Sequence, residues 1–209
     1  NDIDQNADLY IIAINDNNIE SVVKSEFLKN KFMIHCAGSI DLEIFKSYSC
    51  NYGVIYPVQT FTKSKIVDFK NVPLCVEANN DENLILLINI AHVLSENVYE
   101  INSEQRKYLH LSAVFANNFT NFFLEQSKYL TSVNSIDFNI LQSLVEETVK
   151  KAFSEKISNN QTGPAVRGDI NVVNLHIKML KDYPKLKKLY SFVSKNINEN
   201  LQLDCNDET

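Results

Sequence analysis

The sequence predicts an α/β layer with a largely parallel sheet in its first half and an all-α segment in its second. Three observations carry this expectation. Short apolar runs alternate with helix-periodic stretches as far as residue 102, the pattern of strands joined by helical crossovers. From Ser103 onward no convincing strand remains, and long stretches of 3.6-residue periodicity succeed one another. The chain has 209 residues and 44% apolar content, enough to build a sizeable core as one large domain or two small ones.

The elements follow in order. "DLYIIAI" (8–14) is a continuous apolar run ending in Asn15 and Asp16, which predicts a strand buried on both faces. "IESVVKSEFLKN" (19–30) has helical spacing through Val22, Val23 and Phe27. "KFMIH" (31–35) reads as a strand and "SIDLEIFKSYS" (39–49) as a short helix. "YGVIYPVQTF" (52–61) is a strand stopped by Pro57, which has no ladder donor. "VPLCVEA" (72–78) is a strand, "ENLILLINIAHVLSE" (82–96) a helix, and "NVYEIN" (97–102) a last short strand. In that helix Asn89, His92 and Glu96 share one face, the polar side of an amphipathic element.

In the second half, residues 103–133 form one long helix with Ser103 as its N-cap, and 136–157 a second. Residues 170–182 and 184–201 form two more, with Asp169 as an N-cap and Pro184 at a favoured first position. The expected division is therefore an α/β part at 1–102 and a helical part at 103–209.

Composition narrows the function. The net charge is −6 with scattered acidic residues, which argues against a nucleic-acid partner. Cys36, Cys50, Cys75 and Cys205 show no C-x-x-C spacing, so neither a zinc site nor any other metal is expected. Disulfides are not expected in what reads as a cytosolic enzyme. The longest apolar run, Leu84 to Leu94, is too short to span a bilayer and contains Asn89 and His92. No signal peptide is visible, and the expected location is cytoplasmic.

Ligands in open α/β sheets bind at the carboxyl ends of strands. Three predicted strand ends carry polar residues: Asn15, Asp16 and Asn17; His35, Gly38 and Ser39; and Pro57, Gln59 and Thr60. Turn chemistry accounts for the first group as well as ligand binding does. It accounts less well for His35 and Gln59, which are not turn residues. Gly38 would let a ligand approach the backbone, and Ser39 would cap the next helix. On the long helix His110, Asn117 and Asn121 fall on one stripe at 3.6 residues per turn. That stripe is either solvated surface or the lining of a cleft. In "TGPAVRGD" (162–169), Gly163-Pro164 forces a turn and Arg167 has no obvious local partner.

Four stretches in this order, "HCAGSI", "YGVIYPVQTF", "EQRKYLHLSAVFANNFTNFF" and "TGPAVRGD", resemble the family of NADP oxidoreductases with a Rossmann-like first domain. The second, helical domain of that family is known only as a domain of unknown function, type 2520. The family is similar more distantly to 6-phosphogluconate dehydrogenase, ketopantoate reductase and pyrroline-carboxylate reductase. The resemblance implies hydride transfer between NADP, or NAD, and a small carbonyl or imine substrate in a cleft between the domains. It also implies a homodimer formed through the helices, which hold more phenylalanine than four helices need, including Phe115, Phe119, Phe122 and Phe123.

On this reading Asn15, Asp16, Ala37, Gly38 and Ser39 lie toward the cofactor. Gln59, Thr60, Asn118, Asn121 and Arg167 lie toward the substrate, and His110, His35 and Asn117 are the catalytic candidates. No G-x-G-x-x-G occurs; the chain enters the Rossmann pattern at its fourth strand, so a preceding glycine-rich half is expected to supply the pyrophosphate site. Hydroxyacid-dehydrogenase relatives carry a lysine one turn before an asparagine of the long helix. If that asparagine is Asn117 or Asn118, the lysine position is Ala113 or Val114. Lys107 lies at least ten residues before either asparagine, about 15 Å along the axis, so His110 or His35 must donate the proton, or the chain is a non-catalytic nucleotide- or metabolite-binding dimer.

Overall fold

The structure, a computed structural model, describes residues 3–62, 66–154 and 160–203. Two compact units divide it, Asn1–Asn121 and Phe122–Thr209.

The first unit is built on five strands in spatial order β1 (Tyr10–Ile12), β2 (Met33–His35), β3 (Tyr52–Pro57), β4 (Leu74–Ala78) and β5 (Val98–Glu100). β1, β2 and β3 are parallel; β4 runs against β3, and β5 runs with β4. The connections explain the reversal. Parallel neighbours need a crossover, which α1 (Asp16–Val23) and α2 (Asp81–Leu94) supply for β1–β2 and β4–β5. Between β3 and β4 the described residues hold only a 3₁₀ turn at Phe69–Asn71, so the chain turns back. The carboxyl ends of β1 to β3 therefore share a sheet edge with the amino ends of β4 and β5, and Pro57 faces Leu74.

Alternation along the strands divides the core between two faces. Tyr10, Ile12, Met33, Tyr52, Val54 and Cys75 pack with Ile19 and Val23 of α1 and with Phe45. Ile34, Ile55, Leu74 and Val76 pack with Leu87 and Ala91 of α2. Close approach of α2 depends on Gly53, where an added Cβ would lie 2.7 Å from the Glu77 carbonyl oxygen and would also collide with Leu87.

Several expectations need correction. β1 is not buried on both faces: Ile11 is 58% exposed, because α2 covers β3 to β5 and not β1. α1 begins at Asp16 rather than residue 19 and ends at Val23, followed by a 3₁₀ turn at Glu26–Leu28. The expected helix at 39–49 is a 3₁₀ turn, Leu42–Phe45, capped by Asp41 and not by Ser39.

The long helix starts with α3 (Ser103–Ala113), whose N-cap is Asn102. Asn102 and Gln105 exchange the two hydrogen bonds of a capping box; Ser103 stands one position later. After α3 the helix is not regular. Val114–Phe119 is a π-helical segment, and only then does α4 (Thr120–Val133) resume.

α5 (Gln142–Ser154) follows a 3₁₀ turn at Phe138–Leu141, and the rest of the expected helix to residue 157 lies outside the described residues. An unexpected short helix, α6 (Pro164–Arg167), precedes α7 (Ile170–Met179) and α8 (Pro184–Ile197). Pro164 and Pro184 each open a helix, where a missing N–H costs nothing. Asp169 precedes α7 without a side-chain cap bond. Val173, Ile177 and Leu180 form much of the second unit's buried apolar set, whereas neither α4 nor α5 buries any residue fully.

Candidate functional site

The strand ends of the first unit hold the candidate site. β2 ends at His35, and the next residues turn over the sheet edge. His35 is fully buried and stacks at 5.5 Å on Phe45. Its Nδ1 accepts the Ala37 N–H at 3.2 Å, which leaves the proton of the neutral ring on Nε2. Burial first, and the Arg106 charge second, depress its pKa to about 4, against the weaker opposing pull of Asp41 and Asp16. His35 is thus a neutral core residue that shapes the β2 turn, and the expectation that it lines an open floor and donates a proton is corrected.

Gly38 answers to a side chain rather than to a ligand. A Cβ there would lie 2.6 Å from His110 Nδ1, 2.8 Å from Cγ and 2.9 Å from Cβ. The imidazole of α3 rests directly on the β2 turn. The Tyr56 hydroxyl also lies 3.1 Å from His110 Nδ1, with the rings edge to face at 6.0 Å. Tyr56 is 8% exposed, and burial raises its pKa, so the hydroxyl keeps its proton. His110 is half-buried. Ser39 donates to the Asp16 carboxylate, which ties the ends of β1 and β2 together.

A buried charge network fixes α3 in this position. Arg106, 1% exposed, lies one turn before His110. Its guanidinium donates to Glu77 Oε2, to the Ile40 carbonyl and to Ser103 Oγ. Glu77 also accepts the Ser103 N–H at 2.7 Å and its hydroxyl at 2.9 Å, while Ser103 Oγ accepts the Leu42 N–H at 3.0 Å. The end of β4, the β2–β3 link and the first turn of α3 are joined through one ion pair. Lys107 instead reaches Asp41 at 2.7 Å on the surface and holds that carboxyl below its ordinary range.

The structure thus brings together Asp16, Ala37, Gly38, Ser39 and His110. A cavity of about 410 Å³ reaches the same strand ends on the α2 side of the sheet; it is bordered by Asp16, Ala37, Tyr56, Gln59, Ile90 and Leu94, and His110 does not line it. Other expected residues are placed differently. The Gln59 side-chain oxygen accepts the Thr60 N–H at 2.9 Å, so these two satisfy each other. Asn15 stands at the N-cap position of α1 without a side-chain bond. Asn117, Asn118 and Asn121 are exposed; because i→i+5 bonding shifts the phase of a helix, the π segment overturns the stripe drawn from His110 at 3.6 residues per turn. Arg167 does have a local partner: it pairs with Asp169 at 2.8 Å.

Tyr56, Arg106 and Glu77 are the participants that reading the sequence missed. Arg106 had one available signal: it falls one turn from Leu109 and His110 on the helix side that turns inward. Among the described residues no cluster of three His, Cys, Asp or Glu could hold a metal, and no helix is long and apolar enough to cross a membrane.

A parallel strand–helix unit with its polar groups at the strand ends, followed by a helical unit, defines the chain as a Rossmann-like protein with a helical C-terminal part. Residues 72–197 match the family described as "Domain of unknown function (DUF2520)", and the chain belongs to that family. It is 38% identical to the crystal structure of the "putative NADP oxidoreductase BF3122" from Bacteroides fragilis, over 92% of this chain and 76% of that one, with a TM-score of 0.85. Protein TM1727 from Thermotoga maritima matches at 24% identity and TM-score 0.70, over 90% and 76% of the two chains. An imine reductase from Myxococcus stipitatus in complex with NADP+ shares the fold at 10% identity and TM-score 0.68, over 94% and 77%. No curated protein matches the chain.

Proposed function

We propose that this chain belongs to an NADP-dependent oxidoreductase, able to use NAD, that transfers a hydride to or from a small carbonyl or imine compound. Residues 1–102 form its nucleotide-binding part and 103–209 its substrate and dimer part. The observation that carries the reading is His110, a half-buried imidazole held against Gly38 and Tyr56 at the strand ends of a Rossmann-like sheet. The 38% identity to a protein named as an NADP oxidoreductase supports the cofactor.

Bound in its reduced form, NADPH would supply the hydride and leave as NADP+. Reduction of C=N or C=O also requires a proton at the nitrogen or oxygen, and His110 Nε2 is the group proposed to donate it, its other ring nitrogen being held by Tyr56. Asp16, Ala37 and Ser39, at the ends of β1 and β2, stand toward the cofactor.

The test is direct. NADP and NAD are titrated into the protein, carbonyl and imine compounds are screened by the absorbance of the reduced nicotinamide, and His110→Gln is compared with the parent. General acid catalysis is worth roughly 10²- to 10⁴-fold, so turnover falls by that order with the thermal midpoint little moved. Unchanged turnover in the variant rejects His110. Nucleotide binding with no turnover on any substrate favours a binding protein that kept the fold.

A homodimer belongs to the same proposal. α5 exposes Leu144, Val149 and Phe153 at 64%, 49% and 90%, and a second copy of the chain is the occupant proposed to cover these apolar side chains.

A further inference from the structure

We propose that Tyr56 is the positioning residue for His110, holding the imidazole by Nδ1, where the Gly38 backbone also packs against it, and leaving Nε2 as the nitrogen offered to the substrate. For its effect on turnover this rests on the reading of His110 as proton donor; for its effect on the ring it rests on geometry alone.

A tyrosine hydroxyl that has left water needs a partner. For Tyr56 the partner is His110 Nδ1 at 3.1 Å. Gly38 leaves the ring no alternative seat, since its backbone meets the His110 Cβ, Cγ and Nδ1 within the space of a methyl group. Nε2, across the ring, makes no hydrogen bond within the described residues.

A hydroxyl both donates and accepts, so Tyr56 serves both protonation states of the ring. It donates to Nδ1 of the neutral imidazole and accepts from Nδ1–H of the imidazolium. Burial, with Cys75 and Asp16 acting in the same direction and Arg106 against them, keeps the phenol protonated. A relay through Tyr56 would require a buried phenolate and is disfavoured.

The step then balances simply. The imidazolium gives its Nε2 proton to the substrate nitrogen or oxygen, whose π electrons form the new N–H or O–H bond as hydride reaches carbon. The ring is left briefly neutral with Nδ1–H on the Tyr56 oxygen; Nε2 regains a proton from solvent, which restores the imidazolium, and loss of the Nδ1 proton from that form gives back the resting ring that accepts from Tyr56.

The experiment compares wild type, Tyr56→Phe and Gly38→Ala by nitrogen NMR of ¹⁵N-labelled histidine, at a pH above the histidine range. Wild type is expected to show one tautomer for His110, with the proton on Nε2 and a hydrogen-bonded Nδ1. Tyr56→Phe loses the hydrogen-bond shift at Nδ1 and averages the two tautomers, while the fold is kept. Gly38→Ala, with the phenol intact, gives the same signature because its Cβ pushes the ring away. In the reductive assay Tyr56→Phe lowers kcat by roughly ten- to a hundredfold, a part of the general-acid contribution, with KM little changed. A His110 spectrum unaltered in Tyr56→Phe overturns the proposal. If wild type turns over no carbonyl or imine, the oxidoreductase reading falls, and the spectra alone still decide whether Tyr56 orients the ring.

Discussion

His35 shows how burial changes what a residue type means. Its ordinary pKa is 6.5, and in the folded protein it is about 4. As pH falls, the unfolded chain takes up this proton near 6.5 and the folded chain does so only near 4. The stability associated with the neutral ring is therefore present above pH 6.5 and lost as pH falls toward 4, on the order of 3 kcal/mol in total. Urea midpoints measured from pH 7 to pH 4 should fall accordingly. His35→Leu, which cannot titrate, should flatten that slope even if it is less stable at pH 7; an equal slope would count against the assignment. Arg106 is the second case. Arg106→Met would leave Glu77 without its guanidinium partner beside the N-terminus of α3, and breaking one side of a buried pair costs about 3–5 kcal/mol. Chemical denaturation reads this directly, and a loss below about 1 kcal/mol, the scale of an exposed pair, would show that the network is not stabilising.

Among the elements, the contact of α2 with the sheet is the most constrained. Gly53→Ala would force the helix or β3 to move, because the new Cβ meets both backbone and the Leu87 side chain. Overpacking of this kind costs about 1–3 kcal/mol, and the thermal midpoint should drop. An unchanged midpoint would mean that α2 shifts freely. The π segment at Val114–Phe119 is the other notable element. Apolar periodicity marks the whole span as helix, but nothing in residue type separates i→i+4 from i→i+5 bonding, since both use the same φ/ψ region with small adjustments. For that reason residue type and position could make His110 a candidate, whereas its alignment with Asn117 and Asn121 at 3.6 residues per turn does not carry through the π segment.

For the whole molecule, the unburied apolar side chains of α5 make association the expected behaviour. Light scattering at micromolar concentration should give twice the mass of the chain, and Leu144→Asp combined with Phe153→Asp should give a monomer with unchanged helix content. A monomeric wild type would overturn the dimer.

The amino-acid order by itself determined the strands, the two long amphipathic segments, the helix that starts at Pro184 and the change of character near Ser103, because hydrophobic periodicity and backbone chemistry act over a few residues. It also sufficed to place Gly38 and His110 among the candidates. Only the tertiary structure decided that Gly38 exists for the His110 ring, that Tyr56 completes the pair, that His35 is core, and that β4 runs backwards beside β3. Each of these depends on which distant segments meet. Tyr56 and His110 are 54 residues apart in the chain and 3.1 Å apart in space, and no local pattern encodes that meeting.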